Sequence, residues 1–424
     1  MSGRKRSNVT AFSCHDRGFA LVITLTLVAL LVLIVYALAA LARVSSRISD
    51  SSVHQVQARQ NALFAMDYAL GKLQQYAGPD FRRTGMAGVV GTLPRSPFRQ
   101  WAGVWDGTPS PVWLVSGATE SPVPSLSGDR ITIIGAHTVG SPTDTTDQEP
   151  VEVGLINLPG IDLVQGVAAA NGRMAYWIGD EGCKVSAIIA DAELQVSGKS
   201  GRGLRPNFRN LISGTFDPAA ATNSRVISLE QLKVPVTDFS LSPAFHSLTR
   251  THLALGTTAN AGFPRPGPYV VGAFNINTTS EAAWRGLLEF PDASNSAFGL
   301  SADRTLSAAR QIRDRIAGRA QPFGSVSELM NSTIIQSAFD SSTPKITTIT
   351  QDDFFAELAP ILATRSDTFR IRTYGDVLDS VDHTSVQAVA YCEAIVQRTP
   401  DPAPGSLGQK FVILYFRWLG RDDI

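Results

Sequence analysis

One stretch near the start of the chain limits what the protein can fold into. Residues 19–42 contain no charged side chain and are dominated by Leu, Val, Ile and Ala. A helix of this length covers roughly 36 Å, enough to cross the hydrocarbon core of a bilayer. An ordinary secretory signal has a shorter apolar core, about 7 to 15 residues long, followed by a small-residue cleavage site. We therefore predict a membrane-spanning helix.

The basic residues around this span predict its orientation. The preceding cluster is Arg4, Lys5, Arg6 and Arg17, whereas the first charges after the span are Arg43 and Arg47. The side of a span with the heavier basic cluster usually stays in the cytoplasm. We expect a single pass with a cytoplasmic N-terminus and an exported remainder.

Composition narrows the classes of function. The 37 basic residues balance the 37 acidic ones and are scattered, so the sequence offers no electrostatic footprint for a nucleic-acid partner. Three widely separated cysteines do not form a zinc framework, and no metal site or cofactor is expected. If Cys14 is removed with a leader, Cys183 and Cys392 could form a disulfide in an oxidising compartment. Two buried free thiols are the alternative.

The junction before the span has a distinctive order. Arg17 and Gly18 stand directly before Phe19 and an uninterrupted apolar run. This resembles the leader of type IV prepilins. The resemblance implies that a prepilin peptidase cuts after Gly18 and methylates the new N-terminal Phe19, leaving the helix on the mature protein. Glycine suits a narrow protease site and can break a helix just before the span.

One position departs from the common pattern of that family. Most pilins carry a glutamate at the fifth mature position, where this chain has Ile23. A carboxylate inside the bilayer is costly unless it is paired, in that family with the N-terminus of a neighbouring subunit. Its replacement resembles the K-type minor pseudopilin of type II secretion and some minor pilins. A major, repeating subunit is therefore not expected.

Beyond the span, an apolar pattern at helical spacing continues through Val56, Leu63, Met66, Leu70 and Leu73. It predicts an amphipathic helix that ends before the helix breakers Gly78 and Pro79. The remaining chain alternates short apolar runs with Gly, Pro, Ser and Thr, which is typical of strands and turns.

Several later motifs occur in a recognisable order. Residues 172–185 predict a hairpin turning at Asp-Glu-Gly, whose adjacent carboxylates should point apart. Asn275-Ile276-Asn277-Thr278 precedes a helix capped by Thr279 or Ser280, and 308–317 and 325–329 predict further helices. Apolar, β-branched segments at 368–374, 385–397 and 411–418 predict closing strands. Together with the start of the chain, this order resembles the K-type minor pseudopilin.

The resemblance implies an α+β fold with a pilin-like α/β head and an inserted helical subdomain. The expected units are a leader at 1–18, an N-terminal helix at 19–76 with its span at 19–42, the first part of the head at 77–279, the insertion at 280–365, and closing strands at 366–424. Residues 78–167 match nothing in the family.

The expected function is structural. The chain would be a minor pseudopilin that initiates or caps a pseudopilus without catalysis of its own. It would lie in the bacterial inner membrane with a periplasmic head, and would move into the pseudopilus. Its partners would be other minor pseudopilins or pilins, through the N-terminal helix, and prepilin peptidase. A minor pilin of a type IV pilus is a close alternative, and a signal-anchored periplasmic enzyme or binding protein is the alternative of another class.

Overall fold

The protein has an α+β fold, as predicted, with a long N-terminal helix and a sheet-rich head. The computed structural model describes residues 16–90, 97–135, 150–161, 168–186, 215–216, 236–237, 244–249, 274–288, 300, 302–420 and 423–424. Two compact units divide the chain, Met1–Val56 and Gln57–Ile424.

Helix α1 runs from Asp16 to Ala77 without a break. Gly18 does not break it: a single glycine costs a helix only about 1 kcal/mol, and no proline accompanies it. The helix ends at the predicted place because Gly78 and Pro79 follow. Further helices are α2 Ala244–Ser247, α3 Glu281–Leu288, α4 Ala302–Ile316, α5 Val326–Met330, α6 Ile334–Ser341 and α7 Gln351–Leu358.

From Leu21 to Ala42, within the first unit, α1 is apolar on all sides. Every side chain from Leu21 to Val53 is exposed. Thr24 and Thr26 donate their hydroxyl protons to the carbonyl oxygens of Leu21 and Ile23, so both hydroxyls are satisfied within the helix. Among the described residues, this is the one helix long and apolar enough to cross a membrane.

The strands of the second unit are short before residue 155 and long near the end of the chain. In order they are β1 Arg83–Met86, β2 Ala102–Trp105, β3 Val112–Trp113, β4 Arg130–Ile134, β5 Val151–Gly154, β6 Ile156–Ile161, β7 Ala168–Asp180, β8 Val185–Ser186, β9 Thr215–Phe216, β10 Val236–Thr237, β11 Leu248–Thr249, β12 Phe274–Asn275, β13 Leu362–Ala363, β14 Thr368–Leu378, β15 Val386–Pro402 and β16 Gln409–Leu419.

Five of these strands form the main sheet, in the order β16-β15-β14-β7-β6, with antiparallel neighbours throughout. The three predicted closing strands are confirmed as β14, β15 and β16. Side chains alternate between the two faces of a strand. One face carries Tyr176, Ile178, Phe369 and Cys392 and forms a core with α1.

The end of α1 that packs on this face is lined by small residues. Ala58, Ala62, Ala65, Ala69 and Leu73 are completely buried. The predicted apolar face is therefore wrong in part, because Val56 and Leu63 are 55% and 40% exposed. Alanine side chains let the helix backbone approach the sheet closely, whereas the larger residues flank the contact.

The closest approach involves Gly375 in β14. A Cβ atom at this position would lie 2.6 Å from the Ala58 carbonyl oxygen and closer still to the Ala62 nitrogen. The neighbouring Thr373 hydroxyl donates to the Ala62 carbonyl oxygen at 2.9 Å. Because Gly375 has no side chain, the backbone of α1 can pack directly against this part of β14.

The opposite face of the sheet packs against the smaller strands and α3–α7, in a core that includes Trp101, Trp105, Trp177 and Trp284. The helices follow β12 and precede β13, which pair in parallel. The Ser280 hydroxyl accepts from the Ala283 N–H at 3.2 Å and so caps α3 as predicted. Ser325 caps α5 in the same way, through the Glu328 N–H.

Candidate functional site

The motifs that stand out in the sequence meet in one buried cluster. This cluster, called the junction below, lies where the end of β7 meets the start of β14 and the ends of the helical insertion. It comprises Thr84, Asp180, Glu181, Asn275, Asn277, Phe323, Ser366 and Arg370. The sequence placed these residues in five separate segments, and the fold joins them by hydrogen bonds.

Asn275 is the centre of the polar half of the junction. Its side-chain amide donates to the Thr84 hydroxyl at 2.8 Å, to the Ser366 hydroxyl at 3.1 Å and to Asp180 at 3.3 Å. The Thr84 hydroxyl donates to the same Asp180 carboxylate at 3.0 Å. Burial raises the pKa of Asp180, although the hydrogen bonds from Ser366 and Thr84 oppose the shift.

Asn277 fastens the helical insertion to this centre. Its side-chain oxygen accepts from the Phe323 N–H at 2.8 Å, and its amide donates to the Phe323 carbonyl oxygen at 3.2 Å. The Asn277 N–H in turn donates to the side-chain oxygen of Asn275 at 3.0 Å. The side chain of Asn277 thus binds both backbone groups of Phe323, and this pair of hydrogen bonds connects the segment before α3 with the segment before α5.

The ionic half of the junction contains Glu181. Its carboxylate lies 2.5 Å from Lys184 Nζ and 3.0 Å from Arg370 Nε, and all three side chains are at least 95% buried. Burial alone would raise the pKa of Glu181, but the charges of Arg370 and Lys184 outweigh it and lower the pKa to about 2. The carboxylate is therefore held in its charged form.

A second buried carboxylate extends this ionic network across the sheet. Glu393 in β15 contacts Arg370 at 3.0 Å, Arg372 at 2.8 Å and Arg417 at 3.2 Å. The charges of these three residues overcome its burial and hold its pKa well below the usual range. The ring of Phe245 covers the cations, with the guanidinium carbons of Arg370 and Arg372 at 5.0 and 4.6 Å from its centroid.

The predicted Asp-Glu-Gly hairpin is wrong. After β7 the chain forms a 3-10 helix, Glu181–Cys183, in which the Asp180 carboxylate accepts from the Gly182 N–H. β8 then pairs with β11, and β7 pairs with β14 and β6. The two adjacent carboxylates do enter separate networks, as predicted, because buried Glu181 faces the cations and Asp180 faces neutral donors. Both are tied into the fold by these partners.

The two head cysteines are buried free thiols, so the disulfide considered for Cys183 and Cys392 is absent. They lie in different parts of the core. Cys392 is on the α1 side of the sheet, 2.9 Å from the Thr373 hydroxyl, whereas Cys183 ends the 3-10 helix at the junction. Burial raises the pKa of the Cys183 thiol well above its ordinary value of 9.0. Burial also raises the pKa of the Cys392 thiol, to about 11.

No family model matches this chain, and no curated protein matches it. A solved structure is similar. It is the crystal structure of the GspK-GspI-GspJ complex from the type 2 secretion system of enterotoxigenic Escherichia coli. The similarity covers 63% of this chain and 84% of that chain, at 13% sequence identity and a TM-score of 0.33.

The residues of the predicted processing site lie at the start of α1. Gly18 and Phe19 are in its first turn. Ile23, at the position of the usual pilin glutamate, is one turn farther along and 46% exposed. The processing site and the junction are therefore separate features of the chain.

Sequence reasoning missed several residues that hold the head together. Arg398 is the clearest: its side chain is 1% exposed, donates to the Gly78 carbonyl oxygen at 3.1 Å and pairs with Asp80 and Asp367. It thereby ties the segment after α1 to β15. Its position two residues after the apolar pair Ile395 and Val396 of a predicted strand is the signal that could have revealed it, since a buried charge needs a partner.

Proposed function

We propose that this chain is a minor pseudopilin-like structural component of a type II-like secretion system, with no catalysis of its own. It is anchored in the bacterial inner membrane by one helix, with the N-terminus in the cytoplasm and the head in the periplasm. It initiates or caps a short pseudopilus together with other minor pseudopilins.

The observation that carries this proposal is the difference between the two parts of α1. Residues 21–42 present an apolar surface on every side, whereas Ala58, Ala62, Ala65 and Ala69 are completely buried against the main sheet. A helix that is apolar all round suits a membrane or a bundle of like helices. A helix that also supplies the core of its own head cannot be discarded as a signal peptide is.

Two sequence features support the finer assignment. Gly18-Phe19 before the apolar run resembles the cleavage site of type IV prepilins. Ile23 replaces the glutamate of the common pilins and resembles the K-type minor pseudopilin. The environment of Asp180 and Glu181 supports a structural role for the protein, since both carboxylates are buried and bonded to partners within the fold.

Mass spectrometry of the N-terminus, on protein isolated from membranes of a host that contains prepilin peptidase, tests the proposal. We expect a chain that begins at N-methylated Phe19. Gly18→Leu should block this maturation, whereas Gly3→Leu, a matched change within the leader, should leave it unchanged. An intact leader in the unaltered chain would favour a signal-anchored periplasmic enzyme or binding protein, and cleavage beyond Ala42 would also contradict the proposal.

A further inference from the structure

One edge of the main sheet is formed by β16, an eleven-residue strand at Gln409–Leu419. Its inner side pairs with β15, and no other described strand pairs with its outer side. An edge strand presents a row of main-chain N–H and C=O groups to its surroundings, which is a template for another strand.

The side chains of this edge are apolar and accessible. Ile413, Leu414, Tyr415, Phe416 and Trp418 are each between 36% and 47% exposed. The pairing with β15 places Phe416 and Trp418 opposite Ala394 and Cys392, on the α1 side, and Tyr415 opposite Ile395, on the other side. Apolar surface is thus available on both faces of the edge.

The opposite edge of the same sheet is protected in the usual way. In β6 the exposed Pro159 has no N–H to donate, and the register with β7 shifts between Leu158 and Pro159. Proline and irregular register are devices that prevent edge-to-edge pairing. β16 has no proline; its register with β15 shifts between Ile395 and Val396 and between Arg398 and Pro402, and is regular from Tyr415 to Leu419. The two edges therefore differ in the proline, and the regular half of β16 can pair with another strand.

Charge indicates what kind of strand fits. β16 contains Lys410 and Arg417 and no acidic residue. Arg417 already contacts Glu393, whereas Lys410 is exposed near the start of the strand. Arg59 of α1, also exposed, lies 5.5 Å from the Trp418 ring near the other end.

Lys410 and Trp418 are eight positions apart, which corresponds to roughly 27 Å along a strand. The accessible cations therefore stand near the two ends of an apolar edge.

We propose that β16 is a docking edge for an extended strand of a different protein chain, one with apolar side chains on both faces and an acidic residue near each end. Main-chain hydrogen bonds would add this strand to the sheet, and the acidic residues would meet Lys410 and Arg59. A second copy of β16 offers no acidic residue to either cation. The inference rests on the sheet edge and is independent of leader processing.

Peptide binding to the full chain in lipid nanodiscs tests the proposal. The probe is a fluorescent eleven-residue peptide with glutamate at each end and alternating valine and alanine between them, so that both faces of the strand are apolar. The matched control has the same sequence with alternate backbone nitrogens methylated, which removes main-chain donors while keeping the side chains. We expect saturable binding of the first peptide and binding at least about ten-fold weaker for the second.

Charge-reversal variants provide a second test of the proposal. Lys410→Glu and Arg59→Glu change exposed side chains, and circular dichroism checks that the fold is kept. Each should weaken binding of the glutamate peptide and strengthen binding of a peptide ended by lysine. The proposal is overturned if the glutamate peptide does not bind, if the methylated peptide binds equally well, or if both charge changes leave binding unaltered. Dimerisation of the chain that is abolished by Tyr415→Pro would instead identify a second copy as the occupant.

Discussion

Glu393 pairs with three guanidinium groups, of which those of Arg370 and Arg372 are buried, and its own side chain is only 2% exposed. A buried carboxylate of this kind is not strong evidence of stability by itself, because desolvation offsets much of the attraction. Removing it, however, leaves Arg370 and Arg372 buried without their counter-charge.

We expect Glu393→Gln to lower the free energy of unfolding by about 3 to 5 kcal/mol. Chemical unfolding of the purified full chain in detergent, followed by circular dichroism, measures the change. Asp340→Asn is a matched control, because Asp340 pairs with Lys345 at the surface, where such a pair contributes at most about 1 kcal/mol. Equal effects of the two changes would contradict the role given to the buried network.

The same network predicts a dependence of stability on pH. The folded pKa of Glu181 is about 2 against an ordinary value of 4.5. A lowered carboxyl pKa stabilises the fold above the ordinary pKa, and this contribution is lost as the pH falls from about 4.5 to about 2. Asp180 acts in the opposite direction, because its pKa is raised: its contribution is present below 3.8 and is lost at higher pH.

We therefore expect stability to fall between pH 4.5 and pH 2 and the Glu181→Gln variant to show a flatter decline over this range. Unfolding midpoints measured at several pH values give the comparison. Asp401→Asn, at an exposed position, should keep the decline of the unaltered chain. A decline as steep in the Glu181 variant would assign the acid sensitivity to other groups.

Gly375 determines how near α1 can come to β14. We expect Gly375→Ala to destabilise the head by about 1 to 3 kcal/mol, because the added Cβ meets the helix backbone rather than a flexible side chain. Gly71→Ala is the control: its Cβ would meet nothing within 4 Å, so the change should stabilise α1 by about 0.5 to 1 kcal/mol. Thermal unfolding of both variants should therefore shift in opposite directions.

At the scale of elements, a glutamine of α1 holds the start of β16. The Gln74 amide donates to the carbonyl oxygens of Leu407 and Gln409, each at 2.8 Å, and its side-chain oxygen accepts from the Phe411 N–H at 3.0 Å. One side chain thus satisfies three backbone groups where the last strand begins.

We expect Gln74→Ala to destabilise the head by about 1 to 3 kcal/mol and to speed amide hydrogen exchange at Phe411, since each buried backbone group left without a partner carries a cost. Gln75→Ala, the adjacent exposed position, should change neither quantity. Exchange measured by mass spectrometry on peptides that cover 407–413 separates the two outcomes. Protection unchanged in the Gln74 variant would show that β16 is held by β15 alone.

The elements were predictable to the extent that their patterns are local. The closing strands follow from β-branched and aromatic runs, and the caps at Ser280 and Ser325 follow from the residues around each helix start. The hairpin wrongly predicted at 172–185 shows where local sequence patterns no longer suffice. Asp-Glu-Gly is a turn signal, but whether the next strand folds back or leaves depends on Arg370, which is distant in sequence. Ion pairs of this range leave no local pattern.

The alanine face of α1 is a related case. Hydrophobic periodicity favoured Val56 and Leu63 because they are the larger apolar residues, yet buried Ala58 and Ala62 make the contact. Steric access to Gly375 determined which face packs, and this depends on a strand more than 300 residues away. For the same reason the junction was recognisable only as a series of motifs, and its geometry required the fold.

At the scale of the whole molecule, residues Gln57–Ile424 form one compact unit that includes the last part of α1. This predicts which fragments can fold. A fragment that starts at Ser51 retains the buried alanine face and should be soluble, monodisperse and cooperatively folded. A fragment that starts at Gly78 exposes Ile178 and Phe369 on the sheet and should aggregate. Size-exclusion chromatography and thermal unfolding compare them, and a well-folded Gly78 fragment would contradict the architecture.

The pairing of β12 with β13 has a consequence for how such a head can diversify. Phe274 and Leu362 stand side by side, so the chain leaves for the helical insertion and returns at neighbouring points, about 4.8 Å apart across the two strands. Any compact module with closely spaced ends could be grafted between them without altering the register of the main sheet. The helical insertion can therefore be exchanged for another module. New surfaces can evolve there while α1 and the face of the main sheet that it packs against stay the same.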